Sequence, residues 1–301
     1  MGSEMCIRDR ANTDSSSMAG GVSGIGIVSR NISRGYFKTH RILPLEKCLM
    51  QTKPTDLNPV DERLLELQNE VREHFGWELQ ADVNSALALV SKVDDSEIES
   101  WSKPWRAQTV ASLHRRLVLR DAKVAILGAA ITTDEVEEIL ESNCLLIAAD
   151  GSCGVLDTLP NSVSERAWSR LVCIVSDADG GDGTVAAVKR GVPIILHAHG
   201  DNSNSWSELL ELASSQRSPP PIVLTHQTPE LIEGMHNPGG FTDGDRAVCF
   251  ARALGVERDD ILLLGTRTDI VGEWSGATDP KRKLVKLQWM AEVLQHLGFL
   301  V

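Results

Sequence analysis

The sequence has no excess of basic residues, which argues against a nucleic-acid-binding protein. Its 301 residues include 42 Asp and Glu but only 30 Lys and Arg, giving a formal net charge of -12. Such a chain is a poor candidate for tracking a phosphate backbone, so we expect no nucleic-acid partner. We also expect a phosphate ligand to need a metal ion as intermediary. No apolar run of about 18 residues occurs, so we expect no membrane span.

Paired cysteines of the C-x-x-C type are absent too. The chain has six cysteines, of which Cys144 and Cys173 lie in or beside apolar, strand-like runs. Such a pattern favours reduced, mostly buried thiols, and we therefore expect a cytoplasmic protein.

Hydrophobic periodicity is missing from residues 1–45. The opening "MGSEMCIRDRANTDSSSMAGG" resembles a non-native leader, and the stretch that follows contains almost no acid, as in transit peptides and disordered leaders. We expect a mobile tail here. The rest is expected to comprise a helical region over residues 46–116 and an α/β catalytic domain over 117–301.

Residues 46–116 are predicted to be mainly helical. Apolar residues recur at helical spacing in "ERLLELQNEV" and again in "VNSALALV", which favours two helices. Asp61 and Asp82 are the predicted N-caps, and 101–121 is expected to connect to the next domain. The region is expected either to pack over the strand ends as a lid or to form a homodimer.

After Asp121 short apolar runs alternate with helical segments. The six runs are "KVAILG", "LLIAAD", "LVCIVSD", "PIILHAHGD", "PIVLTHQ" and "DILLLG". This alternation predicts a doubly wound, mostly parallel α/β sheet of about six strands.

Polar residues follow the carboxyl ends of several predicted strands. Asp150 ends the second strand, Asp177 and Asp179 the third, residues 197–201 the fourth and residues 225–227 the fifth. Ligands of open α/β sheets bind at this edge, so these groups are expected to form one site.

The stretch "VSDADGGDG" places three carboxylates together at this edge. Carboxylates so close repel each other unless a cation lies among their oxygens, and Asp177 and Asp179 are therefore expected to hold Mg²⁺. Gly180 and Gly181 would leave room for a phosphate chain. Asp182 is instead the predicted N-cap of the next helix.

Three other interpretations of these motifs were weighed. An EF-hand is excluded, because its fifth and twelfth positions would be Gly181 and Val188. A phosphatase of the haloacid dehalogenase type, with Asp177 as nucleophile, stays open, although Thr266 stands where a further aspartate is expected. "HAHGDN" is similar to the zinc signature H-x-H-x-D-H, with Asn202 replacing the last histidine, but helix-separated strands precede it.

The loop "NPGGFTDGDRAV" combines tight backbone turns with a helix start. Gly239 and Gly240 allow close backbone approach, and exposed amides at a helix start bind phosphate. The alternative is an ordinary loop with a capping box from Thr242 to Asp245. Arg246 would point either at a phosphate or at Asp243.

Together, "AADGS", "IVSDADG", "HAHGDN", "THQ", "GGFTDGDRA" and the Lys-rich final helix resemble the archaeal 6-hydroxymethyl-7,8-dihydropterin pyrophosphokinase family, relatives of thiamin pyrophosphokinase. The resemblance covers roughly residues 120–301. It implies transfer of a diphosphate from ATP to the hydroxymethyl group of a reduced pterin, with release of AMP and Mg²⁺ as cofactor. The setting implied is folate- or methanopterin-type cofactor biosynthesis.

The resemblance also implies roles for individual residues. Asp177 and Asp179 would hold the metal, and Asp201 would add a carboxylate or accept the hydroxyl proton. Substrate and nucleotide binding would fall to Asp150, Gly151, His199, Asn202, Gln227, Gly239, Gly240, Thr242, Asp243, Arg246 and Lys281, with Lys283 or Lys286 as alternatives to the last.

The loop "GTRTDIVGEWSGATDP" departs from the family pattern, with Arg267 and Asp269 in place of a simpler acidic-aromatic ending.

Three alternative functions are compatible with the motifs of the predicted site. They are thiamin pyrophosphokinase, the phosphatase above, and a non-catalytic nucleotide-binding module linked to glycosylation.

Overall fold

The structure is a computed structural model that describes residues 56–276 and 278–300. The predictions for the leader, residues 1–45, therefore concern a part of the chain outside the described residues.

Three helices precede the sheet: α1 (Arg63–Phe75), α2 (Leu79–Asp94) and α3 (Lys103–Leu117). The two predicted helices are confirmed, and the expected connector is itself mostly helix α3. The prediction that Asp61 is the N-cap of α1 is wrong by one residue, because Glu62 holds that position, although Asp61 Oδ1 accepts a hydrogen bond from the backbone N of Arg63 at 2.8 Å. The prediction that Asp82 is an N-cap is wrong, because α2 begins three residues earlier and Asp82 is buried inside the protein.

The remaining elements alternate between strands and helices. In chain order they are β1 (Lys123–Leu127), α4 (Thr133–Leu140), β2 (Cys144–Ala149), α5 (Asn161–Arg170), β3 (Leu171–Ser176), α6 (Gly181–Lys189), β4 (Ile194–Ala198), α7 (Ser203–Ser214), β5 (Ile222–His226), α8 (Asp243–Leu254), β6 (Ile261–Leu264) and α9 (Pro280–His296).

The six strands form one parallel sheet in the order β5-β4-β3-β2-β1-β6. All six predicted strands and the doubly wound α/β class are confirmed. The sequence reasoning missed α5 and the 3₁₀ segment Asp150–Thr158 that follows β2. The prediction that Asp182 caps a helix is also wrong, because α6 begins at Gly181 with Gly180 as its N-cap and Asp182 lies in the first turn.

Helices cover both faces of the sheet. On β1, Ala125 and Leu127 join a core with α2 and α4–α7, while Val124 and Ile126 face α3, α8 and α9. This alternation is the two-residue period of a strand buried on both sides. Residues of α2 thus share a core with the strands; the division between residues 116 and 117 stays a prediction.

Helix α1 packs over α8 and α9. Leu64 and Leu67 form a small cluster with Cys249 of α8 and Val293 of α9. Gly239 lies against α1 with φ +91, and a Cβ there would come within 2.8 Å of Leu64 Cβ. Only glycine fits this approach, so the loop before α8 is fixed against the N-terminal helices.

None of the helices in the described ranges is long and apolar enough to cross a bilayer.

Candidate active site

Three carboxylates meet at the carboxyl edge of the sheet. Asp150 follows β2, while Asp177 and Asp179 follow the neighbouring strand β3, and one oxygen from each lies within 4.8 Å of the others. Ser176 and Thr184 both donate hydrogen bonds to Asp150 Oδ1, the latter at 3.1 Å. Parallel pairing of β2 with β3 therefore brings together acids that the sequence separates.

The carboxylates of this edge influence one another's protonation. Burial and the nearby charges of Asp243 and Asp177 raise the pKa of Asp150 well above its usual value. Burial, then the charge of Asp177, likewise raise the pKa of Asp179, and they raise the pKa of Asp243 to about 7. The cluster is therefore short of positive charge.

Asp177 behaves in the opposite way. Burial alone would raise its pKa, but the hydrogen bond and charge of His199 and the charge of Arg246 hold the pKa well below the usual range. Its Oδ1 is buried and, in the part of the chain that the structure describes, has no hydrogen-bond partner. An ionised oxygen without a partner, beside two further carboxylates, suits a hard divalent cation. Asp150, Asp177 and Asp179 could hold such an ion.

His199 bridges two carboxylates. Its Nε2 lies 3.2 Å from Asp177 Oδ2 and its Nδ1 lies 2.8 Å from Asp201 Oδ1. Burial opposes protonation, yet these two hydrogen bonds raise the pKa of His199 to about 9. Both nitrogens are thus engaged in a cationic ring, which disfavours the zinc interpretation, and the neighbouring His197 is buried against Thr225.

The hydrogen bond between His199 and Asp201 also changes the protonation of Asp201. The hydrogen bond from His199 lowers the pKa of Asp201 to about 2. Its side chain is 79% exposed, and it is not among the three clustered acids. At neutral pH this carboxylate is a weak base held at the rim of the site.

Arg246 lies in the site and is held there by a series of hydrogen bonds between buried polar side chains. Its Nη1 lies 3.3 Å from Asp243 Oδ1 and 3.7 Å from Asp177 Oδ2, and its Nη2 donates to Gln227 Oε1 at 3.2 Å. Gln227 Nε2 donates in turn to Asp82 Oδ2 at 2.9 Å. The guanidinium is therefore oriented from behind by the amide of Gln227.

Asp82 connects this series of hydrogen bonds to α1 and to the loop after β4. Its Oδ2 lies 3.3 Å from Arg72 Nη1, and its Oδ1 accepts from the backbone N of Gly200 at 2.8 Å. The Arg72 and Asp82 side chains are 6% and 5% exposed. Asp82 thus fixes both the amide behind Arg246 and the segment that carries His199 and Asp201.

Two adjacent cavities, both partly open to solvent, lie beside the carboxylates. We call the first the glycine-lined cavity, after Gly128, Gly244, Gly265 and Gly272 in its wall. We call the second the Trp77 cavity, because Trp77 and Phe241 form its aromatic side. The wall between them, which lines both, consists of Asp179, Thr242, Asp243, Ser275 and Lys283.

Most of the predicted site residues line these two cavities. Those in the walls are Asp150, Asp177, Asp179, His199, Asp201, Gln227, Thr242, Asp243 and Arg246. The capping box from Thr242 to Asp245 is also confirmed, so Thr242 both caps α8 and faces the cavities.

Five predicted binding residues are in neither wall: Gly151, Asn202, Gly239, Gly240 and Lys281. The four that are not lysine support the site through packing or hydrogen bonds. A Cβ on Gly151 would lie 2.3 Å from Gly180 O, and one on Gly240 would lie 2.7 Å from Arg246 Cα. Asn202 Nδ2 donates to Asp177 O at 2.9 Å, and its Oδ1 accepts from His199 N at 2.9 Å.

Lysines of α9 reach the cavities from one helical face. Lys283 lines both cavities and Lys286 lines the Trp77 cavity, whereas Lys281 lines neither. Lys283 and Lys286 are three residues apart and therefore lie on the same face of the helix, whereas Lys281 lies on a different face. Helical phase would have selected Lys283 and Lys286 from the sequence.

Sequence reasoning missed the aromatic and loop residues of the walls, namely Trp77, Phe241, Trp274, Ser275 and Thr278. Gly76 ends α1 at φ +67, so the sequence marks the end of that helix, but it carries no signal for what the following Trp77 faces. The loop after β6, which departs from the family pattern, forms much of the glycine-lined cavity. Within this loop Arg267 forms an ion pair with Asp269 at 2.7 Å.

Comparison with known proteins was made by family and by individual sequence. No family profile matches the chain. Three curated archaeal proteins do, each named "6-hydroxymethyl-7,8-dihydropterin pyrophosphokinase". The protein from Methanothermobacter thermautotrophicus is 33% identical over 173 residues, which cover 52% of this chain and 65% of that protein.

The other two relatives come from further archaea. The Pyrococcus furiosus protein is 32% identical over 131 residues, 41% of this chain and 52% of the relative. The Methanocaldococcus jannaschii protein is 28% identical over 193 residues, 60% of this chain and 69% of the relative. The matches thus span less than two thirds of the first two relatives. They support the resemblance seen in the motifs: by sequence, the chain is similar to these archaeal 6-hydroxymethyl-7,8-dihydropterin pyrophosphokinases, whereas no thiamin pyrophosphokinase is among the three.

Proposed function

We propose that this chain transfers a diphosphate group from ATP to the hydroxymethyl group of 6-hydroxymethyl-7,8-dihydropterin. The observation that carries the proposal is the meeting of Asp150, Asp177 and Asp179 with Arg246 and Lys283 around the wall between two cavities. Such a wall suits a reaction that joins two substrates. The names of the three archaeal relatives support the same activity.

The reaction is a substitution at phosphorus. The hydroxyl oxygen of the pterin forms a bond to the β-phosphorus of ATP, and the bond from that phosphorus to the oxygen bridging the α- and β-phosphates breaks. AMP leaves with the bridging oxygen, and the pterin carries the β- and γ-phosphates. The transition state is loose, so catalysis depends on positioning and charge stabilisation more than on a protein nucleophile.

Cationic side chains of the site are suited to hold the phosphates. Arg246 is buried and fixed by Gln227, so little reorganisation is needed when charge develops near it. Lys283 lies in the shared wall and Lys286 in the Trp77 cavity. Together these three groups would orient the transferred diphosphate between its donor and its acceptor.

Mg²⁺ is the proposed cofactor, held by Asp177 and Asp179 with Asp150. Bound there, it would neutralise part of the negative charge of the triphosphate. The all-carboxylate donor set and the partnerless Asp177 Oδ1 support this choice of a hard cation over zinc.

The hydroxyl proton needs no dedicated protein base in this scheme. Asp201, the carboxylate that the sequence offered for this role, is bound to His199 and is weakly basic. The proton would pass to water, and Asp201 would act by holding His199 against Asp177.

The test is an acceptor screen with AMP detection. The protein is incubated with ATP, MgCl₂ and 6-hydroxymethyl-7,8-dihydropterin, and products are separated by ion-exchange chromatography and weighed by mass spectrometry. We expect equal amounts of AMP and pterin diphosphate. AMP formed with thiamin but not with the pterin would move the activity to a thiamin pyrophosphokinase. Free phosphate would indicate a phosphatase, and ATP binding without any turnover would indicate a binding module.

The cellular setting belongs to the same proposal. Cys144, Cys153, Cys173 and Cys249 are free and buried, as expected for a reducing compartment such as the cytoplasm. A product of this kind would serve pterin cofactor synthesis of the folate or methanopterin type. We propose small-molecule partners, without nucleic acid, and leave a homodimer as an expectation for sedimentation analysis.

A further inference from the structure

The two cavities beside the carboxylates differ in what lines them. The Trp77 cavity has an aromatic side and an edge of charged and amide groups, among them Asp201, His199 and Gln227. The glycine-lined cavity combines backbone and small or aliphatic side chains with one tryptophan, Trp274, and with three aspartates. We therefore expect each cavity to bind a ligand of different chemistry.

We propose that the Trp77 cavity binds the fused, planar ring of the acceptor against the Trp77 indole, and that the glycine-lined cavity binds the nucleoside of ATP. This assignment rests on the proposed function and adds to it the place of each substrate. The shared wall of Asp179, Thr242, Asp243, Ser275 and Lys283 then lies between the hydroxymethyl group and the triphosphate.

Trp77 is held as a platform for a flat ring. Phe75 stacks on it with ring centroids 4.6 Å apart and planes at 14°, and Phe241 lies 6.1 Å away at 42°. Lys286 Nζ and Arg282 Cζ lie 5.6 and 5.7 Å from the centre of the Trp77 ring, and Lys286 lines the same cavity, so a ring that stacks on Trp77 would displace these flexible side chains. Trp77 is half-buried and supported by neighbours, which lowers the entropy lost when a ligand stacks on it.

The polar edge of the Trp77 cavity matches the edge of a reduced pterin. A 2-amino-4-oxo pyrimidine ring presents N–H donors beside a carbonyl acceptor. Asp201, whose Oδ1 is bound to His199 Nδ1, offers its second carboxylate oxygen as an acceptor, and Lys286 offers donors. A neutral ring with this pattern can enter without adding charge, and the phosphates would then lie at the shared wall, beside Lys283.

The glycine-lined cavity suits an adenosine. Its walls include Ala129, Ala130, Ile270 and Met290, which give an apolar slot for a base. Its backbone is packed too closely for side chains, since a Cβ on Gly128 would lie 2.7 Å from Gly265 O. The backbone amides of Gly128 and Gly265 are already hydrogen-bonded, so this part of the wall is a rigid surface without side chains against which a ribose can pack.

Reciprocal variants test the assignment. Trp77→Ala should raise the KM for the dihydropterin about tenfold or more, as expected for loss of ring stacking, and change the KM for ATP less than about twofold. Trp77→Phe should retain most of the acceptor affinity. Ile270→Glu should do the reverse and raise the KM for ATP alone. Trp105→Ala, which removes a partly exposed tryptophan of α3 that lines neither cavity, is the matched control.

Calorimetric binding of 6-hydroxymethyl-7,8-dihydropterin without ATP separates this inference from the proposed function. If the wild type releases no AMP, the proposed function fails, but binding that is lost in Trp77→Ala still supports the ring site. If the wild type turns over and Trp77→Ala leaves the acceptor KM unchanged or raises only the ATP KM, the assignment is overturned. Should Trp77→Ala not fold, Trp77→Leu keeps the bulk without the π surface and gives the same comparison.

Discussion

Asp82 on α2 and Arg246 on α8 are joined through one amide, the side chain of Gln227. Asp82 accepts from Nε2 at 2.9 Å, and Arg246 donates to Oε1 at 3.2 Å. An amide held in this way has one orientation, since a flip would set donor against donor at Arg246 and acceptor against acceptor at Asp82. The N-terminal helices thus determine where the Arg246 guanidinium points.

Asp82→Asn should disturb this arrangement. The new amide replaces an ionised acceptor beside the buried Arg72 and the Nε2 of Gln227, so we expect a loss of about 1–3 kcal/mol in the free energy of unfolding. We also expect kcat to fall at least about tenfold while the KM for the acceptor changes little. Urea unfolding and AMP-release kinetics measure the two effects. Asp95→Asn, an exposed change at the end of the same helix, is the control; equal kinetics in both variants would remove Asp82 from positioning Arg246.

Asp177→Asn should weaken the metal site. The change removes one negative charge from the acid whose Oδ1 has no partner among the described residues, and turnover should fall by at least about 10²-fold. Calorimetric titration with MgCl₂ should show weaker binding. Asp182→Asn, an exposed acid of the same stretch outside both cavities, should behave like the wild type. Near-normal turnover in Asp177→Asn would refute a metal-binding role.

The lysines of α9 should differ according to their phase on the helix. Lys283→Ala and Lys286→Ala each remove a cation from the cavities, and kcat/KM for AMP release should drop at least about tenfold. Lys281→Ala should leave kcat/KM within about twofold of the wild type, because this residue lines neither cavity. A larger loss for Lys281 than for Lys283 would restore the interpretation taken from the sequence.

Acid should destabilise the protein through His226. Burial, then the charge of His236, lower the pKa of His226 to about 4, while an unfolded chain titrates near 6.5. The unfolded state therefore binds the proton first, and stability present above pH 6.5 is lost as the pH falls toward 4, at up to about 1.4 kcal/mol per pH unit. Urea unfolding between pH 7 and pH 5 measures this slope.

His226→Asn removes the titrating ring but keeps an acceptor where Nδ1 now accepts from the backbone N of Thr228 at 3.1 Å. The pH slope of this variant should be shallower than that of the wild type. The same substitution at the exposed His74 should leave the slope unchanged. Identical slopes in all three proteins would show that burial of His226 does not control acid stability.

The sequence predicted the sheet and its acidic edge for the same reason. Parallel strands that are buried on both faces appear in the sequence as short apolar runs. Because all strands of a parallel sheet point the same way, the residues that follow them lie at one edge of the sheet. Asp150 and Asp177 could therefore be predicted to lie close together. Asp82 could not, because its partners Arg72, Gln227 and Gly200 are defined by the packing of helices on the sheet. Trp77 was missed for the same reason, since helical periodicity says nothing about what a residue beyond the helix end will face.

The cleft is assembled from segments made at very different times on the ribosome. Trp77 emerges early, the carboxylates follow with β2 and β3, and Lys283 and Lys286 come with α9, after every strand of the sheet. A nascent chain can therefore bury much of its core before the lysine-bearing side of the cleft exists. The cleft with its full set of lining residues exists only once α9 has been made.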